Sequence, residues 1–127
     1  MHFTIDRKRL IEMLESIRSK LPGVKKKNRD VWIYACAARV FVEARGLTAG
    51  EEALVFRDGG CTQPMERFLM LLKSYAPKEN VTIEADERSL RLFTTTLNVS
   101  GYTPDVKPPA SFVVGRVTDT WVARGDP

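Results

Sequence analysis

Residues 81–92 read VTIEADERSLRL, and their two-residue period decides which kind of layer this chain builds. Val81, Ile83 and Ala85 alternate with Thr82, Glu84 and Asp86, so one side is apolar and the other polar, the pattern of a half-buried strand. Asp86 to Ser89 supplies a turn, and Leu90, Leu92 and Thr94 carry the alternation back. A strand that doubles back in this way makes antiparallel sheet with one apolar face, which other elements must cover.

Two segments have the period to provide that cover. Asp6 can cap a helix by accepting a hydrogen bond from an orphan backbone amide, and Arg7 to about Leu21 then reads as helix. Leu10, Ile11, Leu14, Ile17 and Leu21 form its apolar stripe with Met13 on the flank; Lys8, Glu12, Glu15 and Ser19 stand opposite, and Pro22-Gly23 ends the run. The second helix starts with Pro64 at its first position, where a missing amide hydrogen costs nothing, and Pro77 stops it. Met65, Phe68, Leu69, Leu71, Leu72 and Tyr75 make its apolar face.

Outward from these landmarks the period is two. Phe3 to Ile5 is a short β-like lead into the first helix. Val31, Ile33 and Ala35 alternate with Trp32, Tyr34 and Cys36, as in a strand covered on both faces, and the chain turns at Ala37-Ala38. Arg39 to Arg45 alternates again, Gly46 to Gly50 is expected as a turn, and Ala53 to Phe56 forms the next strand. Asp58-Gly59-Gly60 reads as a turn, Cys61 to Gln63 as a short strand, and Leu97 to Tyr102 as the last strand. The order is strand, helix, strands, helix, strands, in two half-units of one design. It predicts an α+β fold with two helices packed on one face of a curved, mostly antiparallel sheet. Residues 1–106 make that domain. Residues 107–127 form a linker, stiffened by Lys107-Pro108-Pro109, and a C-terminal tail with Phe112 and Trp121 that either adds one extra strand or docks on a partner.

With 127 residues, 43% of them apolar and 28% charged, the chain has material for one core. Its apolar runs are short, the longest from Val31 to Ala38, so none approaches the ~20 residues that span a bilayer and no membrane partner is expected. The N-terminus lacks the pattern of a secretory signal, which makes a cytoplasmic location the expectation. Cys36 and Cys61 have no CxxC spacing, and reduced thiols are expected, with a disulfide between them left open. No metal site or cofactor is expected. Twenty Lys and Arg against sixteen Asp and Glu leave a charge of +4, a mild excess that suits a polyanion.

The pieces just described resemble one domain of the bacterial DNA polymerase III beta subunit, the sliding clamp. The features that carry the resemblance are Met1-His2-Phe3-Thr4-Ile5 running into Arg7, Leu10 and Leu14, and the hairpin from Trp32 to Glu43. Pro64 ahead of Phe68 and Leu71-Leu72 belongs to them, as do residues 81–92, Val99 to Tyr102, and Pro104-Asp105. Their order and spacing over residues 1–106 make the match. The resemblance implies a non-catalytic module in a ring with sheet outside and helices inside, encircling double-stranded DNA and meeting replication proteins. Such a ring takes six domains. A chain with one implies a homo-oligomer, a hexamer if the ring is to close, or help from another protein.

In such a ring the outward helix residues meet phosphates without reading bases. The candidates are Arg7, Lys8, Arg18 and Lys20 on the first helix, and Arg67 and Lys73 on the second. Lys25, Lys26, Lys27 and Arg29 widen the positive field. Glu12, Glu15 and Glu66 share those faces and oppose phosphate, and a solvated mixed-charge helix surface is the alternative. Trp32 and Tyr34 have two readings, a stacking platform for single strands and ordinary packing. His2 is the only histidine, so no general base is at hand for Cys61 beside the glycine turn, and no catalytic residue is assigned. The rival reading is a small interaction or inhibitor protein that reuses the clamp fold without touching DNA.

Overall fold

The chain starts in β1 (His2–Asp6) and turns at once into α1 (Arg7–Ser19), because the Asp6 carboxylate accepts from the Arg9 amide at 3.0 Å and caps the helix. A computed structural model describes residues 1–21 and 29–114 of the chain. Lys25, Lys26, Lys27 and Trp121 lie outside them. Leu10, Met13, Leu14 and Ile17 are all fully buried, each such side chain stabilising the fold by roughly 1.5–3 kcal/mol. Met13 is therefore part of the core stripe, not its flank.

Three strands follow, β2 (Asp30–Cys36), β3 (Arg39–Ala44) and β4 (Leu47–Glu52), each antiparallel to the last. The β2–β3 turn is Ala37-Ala38, with φ of 52° and 59°, and the β3–β4 turn is Arg45-Gly46. The expected turn over Gly46 to Gly50 thus shrinks to its first glycine, and Gly50 is a strand residue. Its lack of a side chain has a packing reason: a Cβ there would come within 2.8 Å of the Phe41 ring and 2.9 Å of the Phe112 ring.

At Ala53 the chain leaves that sheet and continues as β5 (Leu54–Arg57), which pairs with β1. Asp58 then leads straight into β6 (Gly59–Pro64), which pairs with β2. Asp58-Gly59-Gly60 is thus a crossing between sheets and not the turn of a hairpin. A Cβ on Gly59 would lie 2.8 Å from both the Met1 amine and the Tyr102 hydroxyl. Pro64 is the cap residue ahead of α2 (Met65–Ser74), one position earlier than expected. After α2 come β7 (Asn80–Ala85), β8 (Ser89–Leu92), β9 (Thr95–Asn98) and β10 (Ser100–Thr103). The Asp86 carboxylate closes the β7–β8 turn by accepting from the Arg88 and Ser89 amides at 2.8 and 3.0 Å.

The result is an α+β domain with two sheets where one curved sheet was expected, ordered β5-β1-β7-β8-β9 and β10-β6-β2-β3-β4, the second extended beside β4 by β11 (Val113–Val114). The physical reason is that two long strands break, at Ala53 and at Val99, and each passes from one sheet to the other. Neither sheet closes into a barrel. Val31, Ile33, Val40 and Val42 face the two helices, and one core joins both sheets and both helices. The opposite face of the larger sheet carries Trp32, Tyr34, Cys36 and Phe41, and the chain beyond Thr103 covers it. There Phe112 sits edge-on to Phe41 at 5.0 Å, and β11 (Val113–Val114) runs parallel to β4. Tyr34 is 4% exposed and stacks on Phe41, so it packs and offers bases no platform.

Candidate nucleic-acid interface

The helices lie side by side and antiparallel. At one end the buried Arg7 guanidinium donates from Nη1 to the Leu72 carbonyl near the end of α2; at the other, Arg18 meets Glu66 in the first turn of α2. Their apolar stripes point into the core, which leaves a shared outward surface. On α1 it shows Lys8, Arg9, Glu12 and Ser19 exposed, with Glu15, Arg18 and Lys20 half-buried. On α2 it shows Arg67, Met70, Lys73 and Ser74 exposed, and Glu66 half-buried. Cations outnumber carboxylates there, so the surface is net positive.

The expected contact residues have different fates. Lys8 and Arg67 are exposed and have no ion-pair partner among the described residues. Lys73 is exposed and pairs with Glu15 at 3.5 Å. Arg18 bridges the helices, 3.6 Å from Glu15 and 3.2 Å from Glu66. Arg29, only 11% exposed, pairs with the other Glu66 oxygen, and its carbonyl accepts from the Met65 amide at 2.9 Å. Arg7 turns inward, its Nε donating to the Lys78 carbonyl at 2.7 Å, so it fastens the end of α2 to the start of α1. Lys20 is half-buried at the end of α1. Arg9 was missed by the sequence reading. It stands beside Lys8 on the outward face and reaches Glu51 on β4 at 3.4 Å, a position that counting from the Asp6 cap could have found.

Elsewhere the chemistry is quiet. Cys36 and Cys61 are buried and unpaired, and burial pushes the Cys61 thiol up to about 11, so it stays protonated at neutral pH and is no nucleophile. His2 packs against the Phe56 ring at 4.8 Å. Among the described residues no group of His, Cys, Asp and Glu could hold a metal ion, and no helix is long and apolar enough to cross a membrane.

No protein-family model matches the sequence, and no curated protein does either. Solved structures do. The DNA polymerase III beta subunit of Caulobacter crescentus superposes on 82% of this chain with a TM-score of 0.62 at 18% identity. A sliding clamp from Bartonella birtlesii, bound to griselimycin, covers 88% with a TM-score of 0.65 at 20% identity. The Pseudomonas aeruginosa subunit covers 89% with a TM-score of 0.61 at 17% identity. The fold is that of one sliding-clamp domain. This clamp-like chain spans about a third of those subunits, 30%, 32% and 34% of their lengths respectively. The likeness is one of architecture.

Proposed function

We propose that this chain is a non-catalytic, clamp-like module that associates with copies of itself and holds double-stranded DNA without sequence preference through the outward faces of α1 and α2. The observation that carries the reading is the antiparallel helix pair with its net positive outer surface, on a fold shared with sliding clamps. Retention by enclosure and diffuse charge needs no pocket and no base contact. Lys8, Arg9, Arg67 and Lys73 are the contact residues best placed for phosphate. Arg7 is outside the contact set because its guanidinium is committed to backbone carbonyls. Lys20 extends the positive field at the far end of α1, and Lys25, Lys26 and Lys27, outside the described residues, are further candidates by sequence alone. Self-association has support in β5, an edge strand with Leu54 65% and Phe56 61% exposed, since an unpaired apolar edge is where another chain adds. Cytoplasmic replication proteins are the partners this reading favours.

Light scattering combined with DNA retention tests it. A closed oligomer that stays on circular duplex at raised salt and is lost when the circle is cut is the expected result. A salt-stable monomer without DNA affinity would assign the chain to protein interaction or inhibition instead. Lys8→Glu together with Arg67→Glu should weaken duplex binding roughly 10-fold at ~0.1 M salt and leave the thermal midpoint in place.

A further inference from the structure

Glu15 and Glu66 are the residues of the helix surface whose presence is hardest to reconcile with a phosphate-facing role, and their geometry gives them one. Each carboxylate is shared by two cations. Glu66 receives Arg29 on one oxygen and Arg18 on the other, the latter at 3.2 Å; Glu15 receives Arg18 at 3.6 Å and Lys73 at 3.5 Å. Arg18 links the two carboxylates, so one chain of ion pairs runs from the end of β2 nearest α2, over α2, to α1 and back to the last turn of α2.

We infer that Glu15 and Glu66 are internal competitors for phosphate, which set the affinity of the helix surface by occupying Arg18, Arg29 and Lys73. The inference rests on the DNA-binding reading and adds its regulation. Burial grades the competition along the chain. At the Glu15 end both partners are open to solvent, with side chains 41% and 47% exposed, so the Glu15–Lys73 pair is weak and a phosphate takes Lys73 from it easily. At the Glu66 end the side chains are 27% and 11% exposed, so water screens the Glu66–Arg29 pair less and Arg29 is withheld. A duplex therefore meets a few ready cations and several held back. Such loose holding suits a protein that must move along its track.

The test is duplex binding by fluorescence anisotropy over a salt series, with full-length wild type, Glu66→Gln, Glu15→Gln and Glu12→Gln. Glu12 is the control, since it is an exposed carboxylate on the same face with no ion-pair partner among the described residues. Removing it subtracts a negative charge without releasing a cation. Each newly available cation steepens the salt dependence, log K against log [salt], by ~0.9. Glu66→Gln should therefore bind about 10-fold tighter than wild type near 0.1 M salt, with a slope steeper by about one or two. Glu15→Gln should gain about 3-fold, and Glu12→Gln less, with its slope unchanged. If Glu66→Gln and Glu15→Gln gain no more than Glu12→Gln, or bind more weakly than wild type, the competition idea is overturned while DNA binding stands. If neither wild type nor any variant binds duplex, the DNA-binding reading falls as well. Circular dichroism melts check that each variant is folded, and Glu15→Gln carries the test should Glu66→Gln not be.

Discussion

Arg7 occupies the first helical position with its guanidinium turned inward, where Nε and Nη1 donate to the Lys78 and Leu72 carbonyls. A buried charged group that satisfies two backbone acceptors is costly to delete, because those acceptors are left without partners. Arg7→Ala should therefore lower stability by about 2–3 kcal/mol in urea unfolding, while the folded fraction keeps the duplex affinity of wild type. An equal loss of affinity in folded protein would return Arg7 to the contact surface. Cys61 contributes an alkaline pH dependence. Its unfolded thiol releases a proton near 9.0, and its folded thiol near about 11, so the folded state holds the proton in between. The contribution of Cys61 is then complete below pH 9 and is lost as pH rises from 9 toward 11, by at most about 1.4 kcal/mol per pH unit. Cys61→Ala should reduce the alkaline slope, leaving what the buried Cys36 and Tyr34 add, and wild type and variant losing stability in parallel over this range would refute it.

The elements interleave as two equivalent sets. β1, α1, β2, β3, β4 and β5 correspond in order to β6, α2, β7, β8, β9 and β10, and the two sheets then have the same strand order with the sets exchanged. Among the described residues β11 is the one addition. Each set ends on a strand that has crossed to the other sheet, and β5 presents its free edge with Leu54 and Phe56 outward. Lysine at an edge strand blocks pairing with another chain. Leu54→Lys with Phe56→Lys should hence shift sedimentation toward the monomer without unfolding the domain, and an unchanged oligomer would exclude β5 from the contact. Much of this arrangement was legible in the sequence, because half-buried strands alternate and amphipathic helices repeat. Val81 to Ala85 and Leu10 to Ile17 are legible for that reason. The crossings were not, since Ala53 reads as the start of a strand and Val99 as strand interior. Of β6 only Cys61 to Gln63 could be read as strand, because its Gly59-Gly60 start has no side chains to alternate; the buried Gln63 donates to the Asn98 carbonyl at 3.0 Å. In the candidate interface the cations could be read but their partners could not: Arg18 and Glu66 are 48 residues apart, and the contact depends on how two helices are set side by side.

At the scale of the molecule, charge and topology act together. A net charge of +4 is modest, so on the proposed DNA-binding reading the placement of cations on the helix pair matters more than the total. The passage from β5 through Asp58 to β6 is where one strand set hands over to the other, and each set contributes strands to both sheets. Neither set therefore owns a complete hydrophobic interior. Nicking the backbone at Asp58 should yield two peptides that are each largely unstructured alone and regain native circular dichroism only when mixed in equal amounts. The domain is in effect an obligate heterodimer written into a single polypeptide, each half serving as the template on which the other condenses.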